Sequence, residues 1–373
     1  MKFTRLLLLL MLFWIAACSA HGNQPDASPS QVVSPKPSVT LPSPTVSPSL
    51  TPSPTPTPTR TATAIPPTIT PTAPQLSLFE SKELRPGVSP RPYIDDPCTY
   101  LENRWGQGKS EPGTIVVPIM FHSVVKPGRE VTDPANISTA YFEYFMGRAE
   151  ELGFTTITTE ELIGFLYENQ KIPEKSMLLI LDDRRPGVTE LFMPYLDEND
   201  WTLTLAWPTT DATGATLWAQ MEGLAETGRL DVQSHGHDHI YIQDYTTLEE
   251  VEEEIYKPID VIETHFGTTP RALIWPGGNF TESALDIAKV AGFKVGFTVF
   301  SRGPLMFNWI PQGEEEFAMS LPLMVLPRYW SKDGDIALQQ ALAVGEAARL
   351  EAEALKAEEM QYLDRYCQNA QGE

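Results

Sequence analysis

Two aspartates, Asp182 and Asp183, stand side by side at the end of an apolar run, Leu179-Ile180-Leu181. Adjacent carboxylates in such a place repel one another and lose hydration unless a cation or hydrogen-bond donors compensate them. Further along, half of the chain's six histidines fall within His235-Gly236-His237-Asp238-His239. His235 and His239 are spaced i, i+4, which brings two rings to one face if the segment turns helically. Two imidazoles and a carboxylate form a three-ligand set for a divalent ion. Three protein ligands leave a position open for water, the pattern of a catalytic rather than a structural zinc site. Two further polar groups follow apolar runs: His122 after Ile119-Met120-Phe121, and Gly277-Gly278 after Trp275-Pro276. Of the neighbouring residues, His237 is expected to face solvent and His265, before Gly267, to serve a helix end. The tryptophans read as core, with Trp275 also placed to line a groove beside Pro276.

The elements that must position these residues follow from periodicity. Short apolar runs recur at residues 114–120, 154–157, 177–181, 202–206, 230–233, 271–275, 294–299 and 323–326, as strands buried on both faces do. Between them lie helical patterns at 138–152, 159–169, 188–198, 215–227, 246–266 and 281–291, several opening on Ser or Thr caps. Alternation of strand and helix implies βα units around a parallel sheet. Seven or eight units imply an α/β fold of the distorted (β/α) barrel type, in which functional residues gather at the C-terminal ends of strands. All four polar places above lie at such ends. Residues 76–334 form the expected barrel domain with its lead-in, and 335–373 a long helix packed along it.

At these motifs the chain resembles the polysaccharide deacetylases, the NodB-homology domain of carbohydrate esterase family four. Ile180-Leu181-Asp182-Asp183-Arg184 stands where that family has Thr-Phe-Asp-Asp-Gly, and His235 and His239 stand at the ends of its His-(Ser/Thr)-x-x-His. Arg271 and Pro276-Gly277-Gly278 fit its later Arg and Pro-Gly. Phe121-His122 and the stretch 157–183 are similar to the subgroup acting on poly-N-acetylglucosamine. The resemblance implies that Asp183, His235 and His239 bind a divalent metal, Zn2+ with Co2+ or Ni2+ as alternatives. It implies Asp182 as general base, oriented by Arg271, and a backbone N–H near Gly277 as oxyanion donor, with Pro276 and Trp275 at the substrate. The implied activity is removal of acetyl groups from an N-acetylhexosamine polysaccharide. Two alternatives stand beside it: a non-catalytic glycan-binding relative, and an O-acetyl esterase on xylan or peptidoglycan. Two departures favour the non-catalytic relative. Arg184 replaces a glycine, and the family's late Leu-x-His, source of the catalytic acid, is missing, since no histidine follows His265. His122 is the candidate to take that place. Asn308-Trp309 is a faint echo of an Asp–Trp motif.

The N-terminal region reads as an export signal. Lys2 and Arg5 precede an apolar run that ends in Ala16-Ala17-Cys18, which resembles a bacterial lipobox. Residues 1–18 are thus the expected lipoprotein signal, with Cys18 acylated and the folded domain anchored on the outer face of the membrane. Residues 19–75 hold 15 of the 34 prolines among Ser and Thr, a disordered spacer that cannot bury a core. The formal charge is −22, and the first 75 residues are slightly positive, so the acidity is concentrated in the folded part. A domain this acidic is expected to be repelled by nucleic acid, so no nucleic-acid partner is expected. In an exported chain the two remaining cysteines, Cys98 and Cys367, read as a disulfide. Replacing Cys18 by Ala is expected to release the protein from membranes on fractionation. An uncut protein that stays in the membrane fraction after that change contradicts the lipobox reading.

Overall fold

The computed structural model describes residues 73–367; Cys18, the expected signal and nearly all of the expected linker lie outside the described residues. Among the described residues no helix is long and apolar enough to cross a membrane.

Seven strands make the main sheet path: β1 (Ile115–Phe121), β2 (Lys175–Asp182), β3 (Leu203–Trp207), β4 (Leu230–Ser234), β5 (Ala272–Ile274), β6 (Val295–Phe297) and β7 (Tyr329–Trp330). Their order is β6-β5-β4-β3-β2-β1-β7, and every pairing is parallel. A two-residue strand, Thr155–Thr156, pairs with the start of β2 off this path. The sheet curls until its edges approach one another. Leu326 bridges to Phe297 of β6, and three residues later β7 pairs with Ile119 and Met120 of β1. The result is the distorted barrel expected from the alternation of elements.

Eight helices of eight or more residues flank the sheet among the described residues: α1 (Pro97–Trp105), α2 (Thr139–Glu151), α3 (Thr159–Glu168), α4 (Pro186–Asn199), α5 (Ala215–Ala225), α6 (Leu248–Phe266), α7 (Glu282–Ala291) and α8 (Gly334–Tyr362). Their starts are written in the caps. Ser138 accepts from Tyr141 N–H, and Thr158 with Glu161 and Thr247 with Glu250 form reciprocal capping boxes. α6 stops at Gly267, whose φ of 70° suits a residue without Cβ.

Strand alternation sorts the side chains. Ile115, Val117, Ile119 and Phe121 of β1 pack outward with Phe142 and Phe145 of α2. Val116 belongs to a second core with Leu178 and Ile180 of β2. By the same period of two, Asp182 shares the face of Leu178 and Ile180, so the strand itself carries this carboxylate inward.

One strand differs from expectation. Residues 323–326 read as apolar strand, yet Pro322–Met324 is a 3-10 turn and the paired strand comes later, at Tyr329–Trp330. Pro322 and Pro327 bracket the run, and a proline cannot donate to a ladder. Only Leu326 keeps sheet bonds, its N–H to Gly296 O at 2.8 Å and its carbonyl from Thr298 N–H at 2.9 Å. Outside the barrel, Ser89–Arg91 pairs antiparallel with Ile310–Gln312. Cys98 of α1 is joined by a disulfide to Cys367, just past α8.

Candidate metal and catalytic centre

β2 ends on Asp182, and the chain turns sharply at Asp183, whose φ is 74°. That left-handed conformation costs on the order of 1 kcal/mol in a residue with a Cβ. It sends the two neighbouring carboxylates in different directions. Asp182 stays in the barrel, 1% exposed, while Asp183 rises to the rim, half-buried.

Beyond β4 the chain runs through residues 235–239 as an irregular loop and not as a helical turn. Gly236 and His239 have φ values of 75° and 61°. This backbone nevertheless brings the two rings together, with centroids 4.6 Å apart and Nε2 atoms 3.1 Å apart. Asp183 Oδ1 lies 3.6 Å from His239 Nε2 and 3.9 Å from His235 Nε2. Around a tetrahedral ion with bonds of ~2.0–2.1 Å, ligand atoms stand about 3.3 Å apart. The observed separations bracket that figure, so these three side chains fit a divalent ion with small adjustments. The ring orientation fits as well. His235 Nδ1 donates to Ile274 O at 2.7 Å, which leaves the Nε2 lone pair facing the other two ligand atoms. Burial lowers the His235 pKa to about 4, against the raising effect of Asp182. The neutral, ligating form is therefore the favoured one at neutral pH.

Asp183 divides its oxygens. Oδ1 faces the histidines, while Oδ2 accepts from Arg185 Nη2 at 2.7 Å and Nε at 3.2 Å. Arg185 also donates to Ser123 Oγ at 2.8 Å, which ties the end of β2 to the end of β1. Arg184 donates to Thr213 Oγ1 at 2.9 Å.

Asp182 is held differently. Its Oδ1 accepts from Arg328 Nη1 at 2.7 Å, and Arg328 is fully buried. Its Oδ2 lies 3.8 Å from His122 Nε2 and 3.9 Å from His235 Nε2. Burial pushes this carboxyl up, but the charges of Arg328, His235 and His122 outweigh burial and bring it to about 2. His122 stacks on Trp330 with ring planes 12° apart.

Several expected placements need correction. Arg271 is not the partner of Asp182; its backbone N–H donates to Gln233 Oε1, and its charge lies near Tyr167 of α3. Trp275 is fully buried and cannot meet a substrate. Its Nε1 donates to Met324 O at 2.8 Å, a bond across the barrel seam. Gly296 makes room there, since a Cβ on it would lie 2.7 Å from that nitrogen. Pro276 is buried in a 3-10 turn. Exposed Gly277 lies under Tyr241, where an added Cβ would be 2.8 Å from the ring, and Tyr241 stands 5.6 Å from the His239 ring. His237 is buried and bonds Thr209 Oγ1 through Nδ1, so it does not face solvent. Asn308 accepts from the N–H groups of Tyr93 and Ile94, and Trp309 donates to Phe79 O, so this pair anchors the lead-in.

The residue missed in the sequence is Arg328. Its signal is Leu326-Pro327-Arg328, a leucine two residues before a cation, the Leu-x-His spacing with Arg in the histidine's place. Arg185, hidden behind Arg184, was missed too.

Residues 169–296 match the family model for polysaccharide deacetylase, in agreement with the resemblance carried by the motifs. YxkH of Bacillus subtilis (strain 168), which is named for the polysaccharide deacetylases, is 22% identical over 187 residues, 49% of this chain and 64% of YxkH. The chain thus spans somewhat under two thirds of the length of that relative. Among solved structures, the deacetylase PplD of Streptococcus pyogenes, in complex with acetate, is 18% identical, with 61% of this chain and 98% of that chain covered and a TM-score of 0.49. IcaB from Ammonifex degensii is 16% identical, with 61% and 97% covered and a TM-score of 0.48.

The Arg328–Asp182 pair makes a testable prediction about stability and pH. The depressed carboxyl contributes about 2 kcal/mol above pH ~4, and this is lost as pH falls towards 2. Arg328→Met leaves the carboxylate buried without its guanidinium and should cost ~3–5 kcal/mol at pH 7. Burial then raises the carboxyl, so acidification to pH 4 should shrink the difference from wild type. Chemical denaturation at the two pH values reads it; an equal difference at both contradicts the pairing.

Proposed function

We propose that the chain is a metal-dependent hydrolase that removes acetyl groups from an N-acetylhexosamine polysaccharide outside the cell, on a domain tethered through Cys18. The observation that carries this reading is the convergence of Asp183, His235 and His239 beside a separate carboxylate, Asp182, that has one oxygen uncommitted. Zn2+ is the favoured ion, with Co2+ or Ni2+ as alternatives. When bound, a divalent ion would act as a Lewis acid on an acyl carbonyl and bring the pKa of a coordinated water from ~15.7 towards ~7.

The chain's own residues then have distinct tasks. Asp183, His235 and His239 hold the ion. Arg328 fixes Asp182 through Oδ1 and keeps it ionised, so Oδ2 is free to take a proton from water. His122, with Nε2 3.8 Å from that oxygen, is placed to return a proton to the departing amine nitrogen. The turn at Gly277, near the mouth of the site, is the candidate backbone donor to the acyl oxygen. Tyr241 beside His239 and Trp330 beside His122 flank the opening with rings suited to a pyranose face.

The non-catalytic reading rested on Arg184 and on the missing late histidine. Arg184 is engaged by Thr213, and His122 Nε2 lies 3.8 Å from Asp182 Oδ2, which makes it our candidate acid. Both support the enzyme reading that we propose.

Asp182→Asn is expected to keep metal content near wild type while turnover falls by ~10²–10⁴-fold. Asp183→Ala, His235→Ala and His239→Ala are expected to lose metal. Metal content by mass spectrometry, beside acetate release from N-acetylhexosamine polymers, xylan and peptidoglycan, reads both. Loss of metal in Asp182→Asn with retention in Asp183→Ala would reverse the roles. A wild type that binds metal but releases no acetate would favour the glycan-binding alternative.

A further inference from the structure

One buried ionisable side chain takes no part in the chemistry above. Glu254, on α6, is 2% exposed, yet it lies beside the loop that carries both histidine ligands. Its Oε2 accepts the His237 N–H at 3.0 Å, and its Oε1 accepts the Asp238 N–H at 2.6 Å. Both amides lie between His235 and His239. They belong to no strand or helix, so this side chain is the acceptor that secondary structure supplies elsewhere. Successive N–H groups converging on one carboxylate make an anion nest, here filled from within the protein. Burial pushes the Glu254 carboxyl up to about 7, and the N–H groups of Asp238, Ile240 and His237 limit the rise. The packing is close. A Cβ on Gly236, whose φ is 75°, would lie 2.1 Å from Oε2, so glycine lets the loop settle on the carboxylate without displacing it. The helix side of the contact is firm, because Val251, Ile255 and Ile262 bury the inner face of α6 and a capping box fixes its start.

We propose that Glu254 is a positioning residue for the metal centre: by binding the amides of His237 and Asp238 it shapes the loop so that His235 and His239 aim their Nε2 atoms at one ion. The inference rests on the metal-binding reading of Asp183, His235 and His239. A glutamine in this place has nearly the same shape, but it offers one acceptor oxygen, and its NH2 would meet an N–H. The loop would then lose part of its restraint without loss of volume. An aspartate keeps both acceptors but withdraws them by one methylene.

The test uses the full chain with zinc as the probe. Affinity is read by competition with a chromophoric chelator, loop order by amide hydrogen exchange at His237 and Asp238, and overall stability by thermal unfolding of the metal-free protein. Glu254→Gln is expected to weaken zinc binding by ~10–100-fold, the usual span for groups that orient ligands. It should also speed exchange at those two amides, with metal-free unfolding close to wild type. Glu254→Asp should recover part of the affinity. Wild-type affinity in Glu254→Gln overturns the proposal. So does a loss of affinity matched by general destabilisation of the metal-free protein, which would make Glu254 merely structural. If Glu254→Ala fails to fold, the glutamine and aspartate variants still decide. A wild type that does not bind zinc overturns the metal reading itself, and is told apart from failure of this inference because wild type and variants then behave alike.

Discussion

The buried ion pair of Arg328 and Asp182 is the interaction on which the rest of the site depends. Replacing such a pair by apolar side chains is often neutral or stabilising, so its presence is weak evidence for a stability role. Its position explains it better. Arg328 stands between Leu326, bridged to β6, and β7, paired with β1. Its Nε donates to Thr298 O at 2.7 Å and its backbone N–H to Phe300 O at 3.2 Å, so it helps to hold the seam where the sheet closes. The same guanidinium reaches across the interior to the end of β2. Arg328 thus contributes both to barrel closure and, with His235 and His122, to the charge state of Asp182.

The other half of the site is built from loops. Asp183 and His239 both adopt left-handed backbone, and Gly236 between the histidines does too. The surrounding structure restrains this irregular backbone: Arg185 on Asp183, Ile274 O on His235, Glu254 on the amides between the ligands. Two aspartates adjacent in sequence can therefore differ in role. Asp182 belongs to the sheet and takes its direction from strand alternation, whereas Asp183 belongs to the turn and takes its direction from a positive φ. The contrast separates a buried carboxylate kept ionised by a cation from an accessible carboxylate facing two imidazoles.

Much of this was legible in the sequence. The strands buried on both faces and the capped helices lie close to where their patterns put them, because parallel barrels write continuous apolar runs and Ser or Thr caps. The three candidate ligands were legible because their types are rare and clustered at strand ends. Arg271 misled because the family resemblance names an arginine before a strand, and linear order carries no information on which arginine crosses the interior. Arg328 was hidden between Pro327 and a two-residue strand, where no periodic pattern survives. Trp275 looked like a groove residue because it adjoins a Pro-Gly turn, but the strand before that turn is buried on both faces. Glu254 lay in an acidic helix whose other glutamates are exposed, and only its burial against the 235–239 loop sets it apart.

The account's central claim is that three side chains hold the ion and a fourth, Asp182, stands beside it without ligating. Anomalous diffraction at the zinc edge from crystals of the zinc-loaded protein tests this directly. The account predicts one peak within ~2.0–2.2 Å of Asp183 Oδ1, His235 Nε2 and His239 Nε2, with Asp182 still paired to Arg328 and outside bonding distance of the ion. A peak bonded to Asp182, or none among the three ligand atoms, would contradict it.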